Sequence, residues 1–165
     1  MKSKSYQHKK NTLLCVSKKQ ILIVLMAVIT ASTFAQNSKS AKLVNTENGV
    51  AIQGYDPVAY FESNKAIKGN EKITASFQET TYYFSSKKNK VSFLKYPNHF
   101  IPQYGGYCAY GMSFDHDAPI DPNAFAIIDK KLYLNYSSEV NKLWLKELAD
   151  RMELANNNWE KRKKL

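Results

Sequence analysis

The sequence predicts an α+β domain: antiparallel β-hairpins packed with two helices, and an internal two-unit repeat. Three observations carry this. Two pairs of runs rich in β-branched and aromatic residues, "ITASFQ" with "TTYYFS" and "AFAII" with "LYLNY", are each joined by a few polar residues, as half-buried strands in hairpins are. Each pair is followed by a Ser-Ser dipeptide and then by apolar residues, the pattern of a capped helix. Identities also recur at an offset of 52 residues: Gly54-Tyr55 with Gly106-Tyr107, Ala66 with Ala118, Ser85-Ser86 with Ser137-Ser138, and Asn89-Lys90 with Asn141-Lys142. Duplication explains that offset, and so does coincidence among common turn and cap residues; both predict the same local structure.

In chain order, residues 1–35 form a signal peptide. Lys2, Lys4, Lys9, Lys10, Lys18 and Lys19 precede the apolar run "ILIVLMAVITASTFA", with no acidic residue in the stretch. Thr33 and Ala35 flank Phe34 as a cleavage site would, placing the mature start at Gln36. The run from Ile21 to Ala35 is short for a membrane span, which needs about 20 apolar residues; an uncleaved anchor is the other reading. Cys15 lies before the apolar region and follows Leu14, where lipidation wants a small residue. Residues 36–48 read as a polar tether, residues 49–160 as the folded domain and residues 161–165 as a basic tail.

In the first unit the hairpin turn falls near Glu79 and Thr80. Ser85 or Ser86 then caps a helix running to about Tyr96, with Val91, Phe93 and Leu94 supplying apolar contacts and Pro97 ending it. In the second unit "DKK" joins the strands, and a longer helix starts at Ser137 or Ser138. Val140, Leu143, Trp144, Leu148 and Met152 make one apolar stripe along it, and Glu139 in its first turn suits the helix dipole. Trp159, alone in the polar "ANNNWEKRKKL", packs back on the body.

The 165 residues carry 24 Lys and Arg against 14 Asp and Glu, a net +10. Six of those basic residues leave with the signal and four sit in "KRKKL", so residues 36–160 balance at 14 of each sign. A nucleic-acid protein needs a basic face on its folded body, so no nucleic-acid partner is expected. The tail either solubilises the chain or touches acidic lipid. About 130 mature residues make one domain with a real core and no second large domain. Once cleaved, the chain keeps Cys108 as its only cysteine, so no internal disulfide can form, and a lone thiol in an oxidising compartment must be buried, liganded or joined to another chain.

The stretches "GYDPVAYF", "TYYFSS…VSFLKYPNHFIPQYGGYCAYG" and "DPNAF.IIDKKLYLNY" closely resemble the YHS domain family, in the form found in small exported bacterial proteins. The likeness covers roughly residues 49–160. Cysteine-bearing members, in heavy-metal transport ATPases and related proteins, are small metal-binding modules built on an aromatic strand followed by cysteines. This chain departs there, with Ser85, Lys88 and Asn89 after the "YYF" strand, and serine hydroxyls are poor ligands for soft metals. What carries over from the exported subgroup is Cys108 in "GGYCAYG".

Cys108, Met112 and His116 offer a thiolate, a thioether and an imidazole, suitable donors for copper(I). Asp115 and Asp117 can instead join His116 in a harder oxygen-and-nitrogen site. Against both stands a buried Cys108 acting as a small apolar residue, with Met112 as gap filler and His116 in a polar turn; redox use of the thiol is a further alternative. His99, after a helix end, suits the dipole there or approaches Cys108 as a second ligand pair. Asp56-Pro57 reads as a turn opener or as a carboxylate at a pocket mouth. Tyr55, Tyr104, Tyr107 and Tyr110 gather around the glycines, as a pocket lining or as a core edge. No G-x-S-x-G, P-loop or H-E-x-x-H occurs, and Cys108 with a histidine lacks a local signature for nucleophilic catalysis. The expectation is an exported, non-catalytic binding module that handles metal, copper in the first instance, with a structural or interaction domain of the cell envelope as the alternative.

Overall fold

The structure, a computed structural model, describes residues 43–165, which fall within one structural unit. The expected signal peptide and most of the expected tether lie outside the described residues. Among the described residues no helix is long and apolar enough to cross a membrane.

Strands β1 (Thr46–Glu47) and β2 (Val50–Ala51) pair antiparallel. They lead through a 3-10 turn, Ile52–Gly54, into helix α1 (Pro57–Ser63). Then come β3 (Asn70–Phe77), β4 (Thr80–Phe84), α2 (Lys87–Lys95) and the short α3 (Pro97–Phe100). The second part repeats the order: a 3-10 turn Gln103–Gly106, α4 (Ala109–Met112), β5 (Asp121–Ile128), β6 (Lys131–Asn135), α5 (Ser138–Lys146) and finally α6 (Leu148–Arg162). Strands β1-β2-β4-β3 form one sheet, in which β2 and β4 are parallel, and β5-β6 form the other. The fold is α+β, with both expected hairpins in place.

The two hairpins match in detail. β3 and β4 start at residues 70 and 80, β5 and β6 at 121 and 131, an offset of 51. Each breaks register once, between Asn70 and Thr74 and between Asp121 and Phe125. In each, the first residue's side-chain oxygen accepts from the amide two residues on, Lys72 or Asn123. Each turn has two left-handed residues, Gln78-Glu79 and Asp129-Lys130, as a two-residue hairpin turn requires. Ser86 caps α2 through the Asn89 amide and Ser137 caps α5 through the Val140 amide, again 51 apart. The glycine turns keep the offset of 52, with Ile52-Gln53-Gly54 and Tyr104-Gly105-Gly106 all left-handed. One residue is therefore gained in the first unit between its glycine turn and its hairpin. The Ser-Ser identities that suggested the repeat lie one residue out of structural register.

Several expectations need correction. Six α-helices occur among the described residues rather than two. Pro97 ends α2 but also opens α3 from its first position, where a missing N–H costs nothing. The long second helix is broken at Glu147, whose φ of −109° and ψ of 25° leave the helical range, so Leu148 and Met152 belong to α6. On α2 only Phe93 is buried; Val91 and Leu94 are 66% and 55% exposed. The tether's last residues are part of the fold: β1 pairs with β2, and Asn45 bonds the carbonyls of Gly105 and Gly106.

Strand β6 partitions the interior. Leu132 and Leu134 point into a core with Val58, Tyr60, Phe84 and Phe93, while Tyr133 points into a second core with Tyr104, Met112, Trp144 and Ala155. Strand alternation places successive side chains on opposite faces, and here both faces are covered.

Candidate functional site

The glycine-tyrosine loop folds as the cap of α4. The Cys108 N–H donates to the Ala118 carbonyl and its backbone bridges to Leu134, so the residue is fixed between loop and sheet. Its Sγ accepts from the Gly111 amide at 3.3 Å, and its thiol faces Asn135 Oδ1 at 3.7 Å. That same Oδ1 accepts the Tyr110 amide at 3.1 Å. Asn135 in turn donates to Asn141 Oδ1, and Asn141 Nδ2 donates to the Phe125 carbonyl. The sulfur and Asn135 therefore satisfy two free amides of a helix start, and Asn141 holds Asn135 in place. Cys108 is 1% exposed.

The first unit does the same job with a carboxylate. Asp56 is fully buried; Oδ1 accepts the Val58 amide, and Oδ2 accepts the Ser85 amide, the Ser85 hydroxyl and Asn89 Nδ2, all within 2.9 Å. It is a helix cap tied to the α2 start, not a carboxylate at a pocket mouth.

The expected metal donors do not converge. Met112 is buried in the second core, whereas Cys108 belongs to the first. His116 is exposed on the turn after α4, and its neighbours Asp115 and Asp117 both bind the Arg162 guanidinium, Asp115 at 3.1 Å. His99 is exposed and lies against the rings of Phe61 and Phe100, with centroids 4.8 and 4.7 Å away. Among the described residues no group of three or more His, Cys, Asp or Glu side chains is placed to hold one metal ion. The reason is local: the Cys108 sulfur caps α4 from within, while the chain from Phe114 to Asp117 is exposed.

The four tyrosines divide. Tyr104 and Tyr107 are buried, and the Tyr104 hydroxyl donates to Asn156 Oδ1 at 2.9 Å. Tyr110 is half-buried against Phe114 and Arg151, and Tyr55 lies under the Lys68 ammonium. Burial, and behind it Tyr133, raises the Tyr104 phenol above its ordinary value.

Beside Tyr104 opens a cleft of about 530 Å³. Its walls are Leu43 from the incoming chain, Tyr82 from β4, Ile101 and Pro102 after α3, Tyr104, and Trp159 from α6. Gln78, Asn98, Gln103 and Lys163 line it as well. Sequence reasoning placed Trp159 against the body and Tyr104 near the glycines, but these segments meet only in the folded chain.

The fold and site define a two-unit α+β domain with a sealed thiol and one open aromatic cleft. Comparison of the chain with protein-family models, with curated proteins and with solved structures gives no match in any of the three.

Proposed function

We propose that the chain is an exported, non-catalytic YHS-like binding and interaction module of the cell envelope, in which Cys108 is structural and chemically inert. The observation that carries this is the position of the Cys108 sulfur, 1% exposed and engaged by the Gly111 amide and Asn135. A thiolate that serves as ligand or nucleophile needs access and a nearby cation or base; here the two faces of the sulfur meet an amide N–H and a side-chain amide oxygen. Export rests on the lysine-rich start followed by the apolar run of residues 21–35, and the family reading on the three quoted stretches.

The copper-type site at Cys108, Met112, His116 and His99 is the competing reading, and one experiment separates the two. The chain from Gln36 is titrated with Cu(I) under reducing conditions and, separately, labelled with a maleimide with and without urea. The expected result is no stoichiometric Cu(I) binding and labelling that is slow until the fold opens. One-to-one Cu(I) binding that disappears in Cys108→Ser would replace this reading by the metal one.

A further inference from the structure

The cleft beside Tyr104 has the dimensions and the chemistry of a small-molecule site. Ligand pockets run from about 300 to 1,000 Å³, mostly apolar with a few placed polar groups, and this one holds about 530 Å³. Its aromatic walls, Tyr82, Tyr104 and Trp159, suit a flat apolar body, with Tyr104 and Trp159 held edge to face at 6.3 Å.

Tyr82 supplies an independent observation. It is 4% exposed, its ring lying against Phe93 at 4.9 Å, yet its hydroxyl takes part in none of the hydrogen bonds among the described residues. The hydroxyl is not sealed either, since the Trp144 indole N–H is the sole sealed and unbonded side-chain polar atom among them. This largely buried phenol lines the cleft and has no hydrogen-bond acceptor among the described residues. Burial holds that phenol up to about 12, so it stays protonated at neutral pH. Lys163, just after α6, also lines the cleft; its ammonium pairs with Glu160 at 2.5 Å, and Lys161 and Lys164 beside it are exposed.

We infer that this cleft binds a small, flat aromatic molecule bearing a carboxylate, its ring between Trp159, Tyr104 and Tyr82, and its carboxylate met by the Tyr82 hydroxyl and the Lys163 ammonium. The inference deepens the reading of the chain as a binding module and names its ligand class. It shares no residue with Cys108, so the copper titration and the test below fail independently.

The test uses the chain from Gln36, which contains the whole described unit, with 2-naphthoate as probe and 2-naphthalenemethanol as its uncharged counterpart, followed by amide and indole proton–nitrogen spectra. Saturable shifts are expected at the Trp159 indole and the Gly105 amide, with naphthoate bound more tightly than the alcohol. Tyr82→Phe keeps the ring and should weaken naphthoate about tenfold, the value of one hydrogen bond to a charged group. Lys163→Gln should weaken naphthoate several-fold and leave the alcohol unchanged. Shifts that are absent, as they would be if residues preceding Leu43 filled the cleft, or scattered over the surface, overturn the proposal. So does equal binding of the two probes, or naphthoate binding indifferent to Tyr82→Phe.

Discussion

Asp56 and Cys108 occupy the same position in the two units, 52 residues apart, each buried and each the residue before a helix. Their own amides bond equivalent carbonyls, Ile67 and Ala118. The amide two residues on is satisfied in both, Val58 by the Asp56 carboxylate and Tyr110 by Asn135. What one carboxylate does in the first unit is divided in the second between a thiol and an amide side chain. The lone cysteine of the folded domain therefore has an explanation that requires no ligand.

Asp56 anchors α1 to the start of α2 through four donors, so removing it strands the buried Val58 amide and unties Ser85 and Asn89. Asp56→Ala should cost about 3 kcal/mol, the sum of a lost cap and stranded partners. Asp56→Asn, which keeps an acceptor oxygen but turns an N–H toward other donors, should cost about half that. Urea unfolding monitored by tryptophan fluorescence measures both; a loss under 1 kcal/mol for the alanine variant would show that the network contributes little.

Asn135 holds the second cap together. Asn135→Leu fits the volume but strands the Tyr110 amide and Asn141, so it should destabilise by about 2 kcal/mol. It should also speed maleimide labelling of Cys108, because α4 loses the bond that keeps its start closed. Cys108→Ser, whose hydroxyl can accept from Gly111 and donate to Asn135, should be milder than Asn135→Leu. Unaltered labelling in Asn135→Leu would mean that core packing alone seals the thiol.

Gly105 has a φ of +59°, and a Cβ there would overlap the Leu43 carbonyl and come within 3.0 Å of the Trp159 ring. Gly105→Ala should therefore cost about 2 kcal/mol, combining left-handed strain with the clash. The segment from Leu43 to Asn45 should come away from the 3-10 turn. Hydrogen exchange at the Asn45 amide, which bonds the Gly105 carbonyl at 2.8 Å, reports this directly. Unchanged protection there would show that the turn shifts instead.

How much of this was legible follows from how local each signal is. Both hairpins read to within a few residues, because strand alternation and polar turns are written in adjacent positions, and the Ser86 and Ser137 caps sit beside the helices they start. The short α1, α3 and α4 escaped, since four to seven residues carry little periodicity, Asp56-Pro57 reads equally well as a turn and Pro97 equally well as a stop. Val91 and Leu94 have the spacing of a buried face but no neighbouring element to bury them. The role of Cys108 depends on Asn135, which is 27 residues further on; the offset of 52 also sets Asp56 opposite Cys108, a signal the sequence reading did not use. The cleft draws on four segments from residue 43 to residue 163, and no local pattern announces such a meeting.

The tyrosines set the alkaline limit of stability. Burial raises the phenols of Tyr60, Tyr82, Tyr104, Tyr107 and Tyr133, with neighbouring charges adding to most of them. A phenol raised in the folded state contributes its full stabilisation below the unfolded value, about 10, and loses it as pH rises toward the folded value. For Tyr82 that window runs from about 10 to about 12. Within it the unfolded chain has released a proton that the folded chain still holds, so stability falls by roughly 1.4 kcal/mol per pH unit for each such tyrosine. The urea midpoint should hold steady from pH 8 to 9 and drop steeply between pH 10 and 11. Tyr82→Phe should make that drop shallower. A midpoint that stays level through pH 11 would mean that these hydroxyls ionise freely in the fold, and that the phenol lining the cleft is open to water.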